Sequence, residues 1–303
     1  MSICVRASAF AAAALVMGSA GLAHAGAVND WNLIVLNNAV NSSQDIEGRA
    51  FVGGNFTGGS PTVAKNLTPA SNWLGVANLA VAGNVSVQNL NMQSGNLRYG
   101  GTFSGNFNAN GGGNRAQDST LGAQRSAIAS ELTSLSSFLR TLTPNSTATF
   151  PSSQPSAVRY TASGSGVAVF NVSAANVFNN SLIQQIELNA GSATSVVINV
   201  SGTTVNFTNG NMVGAWTSAF ARSKVIWNFW EATSIFFDRN FNGAVLAPNA
   251  HLRNTTAIDG SVFVSSIQQD GEVHLPNYTG FVPAPGSLAL LGAAGILAAR
   301  RRR

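Results

Sequence analysis

Two charge triplets combine residue types and spacing that could do chemistry. Asp45, Glu47 and Arg49 stand at i, i+2 and i+4, and Asp270, Glu272 and His274 repeat the spacing. A strand turns alternate side chains to one face, so each triplet would share a side. The first offers a carboxylate pair for acid–base work, but Arg49 beside it would hold both carboxylates ionised, which favours a surface charge ladder. The second is the candidate metal site, because carboxylates and an imidazole on one strand face can share a cation. A solvated final strand is the favoured reading, since beyond residue 25 the chain has only His251 besides His274.

Other chemistry is thinner. Gly164-Ser165-Gly166 lacks the outer spacing of a Gly-x-Ser-x-Gly nucleophile elbow. Trp227, Phe229, Trp230, Phe236 and Phe237 could stack on sugars. Their alternation sends Trp227 and Phe229 one way and Trp230 the other, which favours packing inside the fold or at its end. Asn55-Phe56-Thr57, Asn66-Leu67-Thr68, Asn84-Val85-Ser86 and Asn206-Phe207-Thr208 have the form of glycosylation acceptors. A chain this rich in Asn, Ser and Thr also generates such triplets by composition. The sequence predicts no catalytic residue and no cofactor.

The elements that must carry these groups are short apolar runs punctuated by Gly and Asn, such as residues 33–36, 50–52, 79–81, 167–170, 195–200 and 244–246, which read as strands between turns. Gly53-Gly54-Asn55-Phe56, Gly83-Asn84-Val85, Gly95-Asn96-Leu97, Gly105-Asn106-Phe107 and Asn242-Gly243-Ala244-Val245 repeat a corner theme followed by an apolar residue. Stacked turns of a β-solenoid want this chemistry, with tolerant residues at corners and aliphatics inside. The fold expected is mainly β, a β-solenoid (β-helix) with one long α-helix packed alongside; a β-sandwich is the alternative. The helix is read over about 119–142, where Ile128, Leu132, Leu135, Leu139 and Leu142 fall on one face. Ser119 or Thr120 would cap it and Pro144 would stop it. One apolar face suits packing on the β domain, with a coiled-coil partner as the other reading. Residues 145–165, rich in Ser, Thr and Pro, read as a loop.

The two ends read as addresses. Arg6, an apolar stretch to Leu22 and the small-x-small site Ala23-His24-Ala25 have the layout of a signal peptide over residues 1–25, with cleavage at Ala23 and Ala25. At the other end Pro283, Ala284, Pro285 and Gly286 precede an apolar run and then Arg300, Arg301, Arg302 and Arg303. That run is roughly 13 residues, about 20 Å as a helix, short against the roughly 20 residues of a stable span. Terminal arginines suit a membrane stop with the charges left on the cytoplasmic side. The formal charge of +5 disappears once Arg6 and the four terminal arginines are set aside. The domain between is neutral, and no nucleic-acid partner is predicted. The single cysteine, Cys4, lies in the leader, so the domain offers no disulfide or thiol chemistry. With about 250 residues it can bury a core as one unit.

The layout of residues 281–303 resembles the PEP-CTERM sorting signal of Gram-negative bacteria, with Ala284 where the name-giving glutamate would stand. That resemblance implies an exosortase-type processing enzyme as partner, cleavage near Pro283 to Gly286 and transient membrane contact through the C-terminal helix. Residues 45–55, Asp-Ile-Glu-Gly-Arg-Ala-Phe-Val-Gly-Gly-Asn, resemble the choice-of-anchor A domain family, as do Asn242-Gly-Ala-Val-Leu-Ala-Pro248 and Ile258-Asp-Gly-Ser-Val262. This second resemblance spans about residues 29 to 280, within a domain of 26–280. It implies an exported, solenoid-like domain of the adhesive kind, with no enzymatic activity. The function expected is therefore a structural or adhesive protein of the cell envelope or extracellular matrix, contacting extracellular polysaccharide or surface proteins. A polysaccharide-active enzyme on a β-helix scaffold and an ice-binding-like protein are the alternatives.

Overall fold

A computed structural model describes residues 26–67 and 77–283. Ala23, Ala25, Ala284, Pro285, Gly286 and Arg300 to Arg303 lie outside the described residues. The protein is mainly β, with one large, all-parallel sheet, few helices and one long helix.

The short runs pair side by side with equivalent runs instead of folding back as hairpins. Leu33–Val35, Ala50–Val52, Ala77–Val81 and Asn96–Tyr99 form one parallel ladder, in which Leu33 stands opposite Ala50, Ala50 opposite Leu79 and Leu79 opposite Leu97. Ala39–Asn41, Phe56–Gly58 and the start of Val85–Met92 form a second ladder. Asp45–Ile46, Thr62–Val63 and the end of Val85–Met92 form a third. Each pass of the chain therefore lies on its neighbour at the strand spacing of about 4.8 Å. Period-2 alternation puts Leu33, Val35, Ala39, Val52, Phe56 and Val81 inside, where all are buried.

The passes do not stack in chain order. The first pass has the last one on its other side, with Leu33 opposite Val262, Val35 opposite Val264, Ala39 opposite Ile267 and Ile46 opposite Val273. From Val262–Gln269 the ladders continue through Ala244–Asn254 to Val225–Asn228, Ser192–Ser201 and Ser165–Ser173. The chain thus begins in the middle of the stack and climbs to one end at Arg115–Gln117. It crosses to the far end and climbs back to close a seam against its own start.

The crossing is made by the helix Leu121–Thr141, whose Ile128, Leu132, Leu135 and Leu139 are buried, as the spacing predicts, while Leu142 packs partly buried at the cluster's edge. It covers the outward row Ala80, Phe51, Ile34, Phe263 and Leu246, whose side chains point away from the interior. Along the helix, Arg125 donates to Leu36 O, Ser136 bonds Asn228 and Leu139 O accepts from Asn199. Those partners lie in successively more distant passes, so the helix axis runs along the stack. Neither Ser119 nor Thr120 caps the start. Thr120 instead gives its amide and hydroxyl to Asp118 Oδ1, at 2.9 and 2.6 Å.

Residues 145–165 are not one loop. Thr147–Thr149 runs antiparallel to Ser156–Thr161, which pairs in parallel with Ile183–Asn189 in a second, four-stranded sheet. Ala157, Val158 and Tyr160 bury their side chains there, a pattern hidden by the surrounding Ser and Thr. The interior of the C-terminal half is aromatic where that of the N-terminal half is aliphatic. Trp216 stacks on Trp227 at 5.2 Å and Phe237 on Phe241 at 4.2 Å.

Candidate functional site

The seam gathers most of the charged groups singled out above, in partnerships the linear spacing does not suggest. Asp45 pairs with Lys65, and Glu47 Oε2 accepts the Leu275 amide at 2.8 Å. Arg49 leaves both. The chain turns at Gly48, where a Cβ would sit 2.5 Å from Asn32 Cβ. Arg49 then stacks over Trp31 at 4.3 Å and donates from Nη2 to Ala77 O at 2.9 Å. The expected ladder of Asp45, Glu47 and Arg49 therefore does not form. Burial lowers the Arg49 pKa, with nearby Asp30 opposing.

Asp270, Glu272 and His274 also separate. Asp270 ends one side of the stack, bonded by Ser42 Oγ at 2.5 Å and by Arg253 Nε at 2.8 Å. Glu272 and His274 lie around the next corner, beside Asp45 and Glu47 of the first pass. There His274 Nδ1 is 2.9 Å from Asp259 Oδ1 and its Nε2 is 2.6 Å from Glu272 Oε2. Burial works to lower the His274 pKa, but the hydrogen bonds to Glu272 and Asp259 and the charge of Glu47 outweigh it and hold the pKa above its ordinary value. For Asp270 burial likewise opposes the charge, and the bonds from Ser42, Arg253 and Gln268 prevail, leaving its pKa lowered. Both imidazole nitrogens thus face carboxylates, which suits a doubly donating imidazolium. Among the described residues no group of three His, Cys, Asp or Glu side chains is arranged to hold a metal ion.

The other candidates scatter. Ser165 begins a strand between Gly164 and Gly166, both at positive φ, while His251 bonds Ser266 and His274 bonds acids at the seam, so neither histidine serves it. Trp227 and Phe229 are fully buried and Trp230 half-buried, as their alternation predicts; Phe237 is fully buried and Phe236 half-buried. Asn55 and Asn84 are corner residues whose Oδ1 atoms accept backbone amides of the next pass. Pro283 is buried, and Phe281 ahead of it packs on Phe138 and donates its amide to Ser195 Oγ at 2.9 Å.

The feature that spacing alone does not reveal is an open, outward-facing row of side chains. With the long helix on one side, the neighbouring side turns outward a row formed by Asn206, Phe236, Arg253, Gln268, Val40, Thr57, Ser86 and Ser104, in register across eight passes. Over seven intervals of about 4.8 Å this row is about 34 Å long. Val40, near its middle, is 41% exposed and is the large apolar side chain left open among the described residues. Beside the row runs an asparagine corner: Asn55 N donates to Asn38 Oδ1, Asn84 N to Asn55 Oδ1 and Thr102 N to Asn84 Oδ1, at 2.9, 2.9 and 2.8 Å. Those bonds lock the corner of one pass to the next.

Residues 24–275 match the family described as Putative Ice-binding-like adhesive domain. The chain belongs to this ice-binding-like adhesive domain family. Among solved structures, an ice-binding protein from the Antarctic ascomycete Antarctomyces psychrotrophicus is similar at 16% identity, over 83% of this chain and 97% of that one, with a TM-score of 0.30. No curated protein matches the sequence. The family is of the adhesive and ice-binding-like kind, and no catalytic family is indicated.

Proposed function

We propose that this protein is an exported adhesive module of the cell envelope or extracellular matrix, built as a β-solenoid and acting through its open face. The observation that carries the reading is the row through Val40: eight passes in one register, left open by the helix that covers the adjacent side. A face pre-ordered by backbone ladders and corner asparagines loses little conformational entropy on binding, which favours contact with an extended surface over contact with a small molecule. Its Ser, Thr, Asn and Gln side chains suit a hydrated polymer or protein surface, with Val40 and Phe236 as apolar contacts. Membership of the adhesive domain family supports the same reading, as does a leader and tail of the secretory and PEP-CTERM layout. In this reading an exosortase-type enzyme processes the tail at Pro283 to Gly286.

Attachment of cells displaying the domain to polysaccharide-coated and protein-coated surfaces tests it. Val40→Lys with Thr57→Glu should abolish attachment and leave the melting temperature near that of the parent, the two charges pairing across the ladder. Attachment that survives both changes would overturn the role of the face.

A second reading, ice binding, is favoured by the small side chains of the N-terminal half of the row, Val40, Thr57, Ser86 and Ser104. The bulkier Arg253 and Phe236 interrupt that regularity in the other half. Thermal hysteresis measured on the purified domain separates the two readings.

A further inference from the structure

Where the C-terminal end of the long helix meets the stack, an open pocket of about 450 Å³ lies between Arg140, Trp230, Phe150, Asn171, Asn176 and Ser201. That volume is within the range of about 300–1,000 Å³ typical of small-molecule sites. A second, smaller depression, bordered by Thr133, Ser137, Pro248 and Asn249, shares Arg140 and Trp230 with the first. The Arg140–Trp230 pair is thus common to both depressions.

The lining is chemically selective. Arg140 is the charged residue among those bordering the two depressions. It is exposed, and its guanidinium sits 4.0 Å from the centre of the Trp230 ring, which fixes the cation in place while leaving its donors open. The walls supply amides and hydroxyls. Asn171, the last member of the ladder from Asn228 through Asn199, accepts from Asn199 Nδ2 at 3.1 Å and is itself exposed. Amides and hydroxyls both donate and accept, as sugar hydroxyl groups require, and the part of the half-buried indole that Arg140 leaves uncovered adds apolar surface beside a pyranose ring.

We infer that this pocket binds a segment of acidic polysaccharide, with a uronate carboxylate on the Arg140 guanidinium and its pyranose ring beside Trp230. The site is separate from the open face and stands or falls independently of it.

Calorimetric titration of the protein with hexagalacturonate, and with neutral cellohexaose as control, tests this. Hexagalacturonate should bind at least about tenfold more tightly than cellohexaose, a charge-assisted hydrogen bond being worth that much, and added salt should weaken it. Arg140→Gln and Trp230→Ala should each weaken hexagalacturonate binding about tenfold, while Arg239→Gln, which removes another exposed arginine, leaves it unchanged. Arg140 is exposed, so its variant keeps the test valid if Trp230→Ala fails to fold. Absence of hexagalacturonate binding, equal binding of cellohexaose, or full affinity in Arg140→Gln would overturn the assignment.

Discussion

Ser136 on the long helix and Asn228 in the stack bond each other reciprocally: the Ser136 hydroxyl donates to Asn228 Oδ1 at 2.7 Å, and Asn228 Nδ2 donates to the Ser136 carbonyl at 2.9 Å. Both residues are buried. Asn228 Nδ2 also reaches Asn199 Oδ1 at 2.9 Å, so a single amide ties the helix to two passes. Asn228→Ala would strand the Ser136 hydroxyl and the Asn199 oxygen in a dry interior, where each unsatisfied group costs about 1–3 kcal/mol. The expected loss is about 3 kcal/mol in denaturant unfolding. Ser136→Ala combined with Asn228→Leu should cost less than Asn228→Ala alone, because it removes both partners.

The seam should make stability depend on pH from both directions. His274 has a raised folded pKa, so its contribution is complete below the unfolded value of about 6.5 and is lost as pH rises through the folded value. Asp270 has a lowered folded pKa, so its contribution is complete above about 3.9 and is lost as pH falls through the folded value. The seam should therefore be tightest between about pH 4 and 6.5. Unfolding midpoints measured across pH should show His274→Gln flattening the alkaline side and Asp270→Asn flattening the acidic side.

Gly58 occupies φ +139°, and a Cβ there would lie 2.0 Å from the carbonyl oxygen of Asn41 in the adjacent pass. Since both atoms belong to backbones locked by the ladder, neither can retreat without opening it. Gly58→Ala should cost about 3 kcal/mol, combining left-handed strain with the clash. Hydrogen exchange should show protection falling in Ala39–Asn41 and Phe56–Gly58 first.

How much of this was written in the chain depends on the range of the interaction. The helix was legible because Ile128, Leu132, Leu135 and Leu139 need only local periodicity to share a face. So was the opposite facing of Trp227 and Trp230. The corner asparagines could be recognised as a theme, but their spacings of 17, 29 and 18 residues from Asn38 through Asn55 and Asn84 to Thr102 obscure the register. The seam left no local trace at all. Asn41 bonds Gln269 across 228 residues at 2.9 Å, and no window of sequence reports that the first pass lies on the last. For the same reason Asp45 and Glu47 look like partners of Arg49 in sequence, whereas Lys65 and Leu275 are their partners in the fold.

Alternation on the second side of the stack allows binding to be separated from folding with single substitutions. Val40 points to solvent at 41% exposed, while its neighbours Ala39 and Asn41 are 1% and 0% exposed. Val40→Lys buries nothing polar and breaks no ladder bond, since its backbone pairs with Gln268 and Thr57 whatever the side chain. Its stability should stay within about 0.5 kcal/mol of the parent. Ala39→Lys instead forces an ammonium between Phe56 and Ile267, the residues opposite Ala39 in the two adjacent passes. With no partner there to offset its desolvation, it should prevent folding or cost more than about 4 kcal/mol. Circular dichroism melts of the two variants check this directly: if Val40→Lys unfolds as readily as Ala39→Lys, the row through Val40 is a packed layer and not an open face.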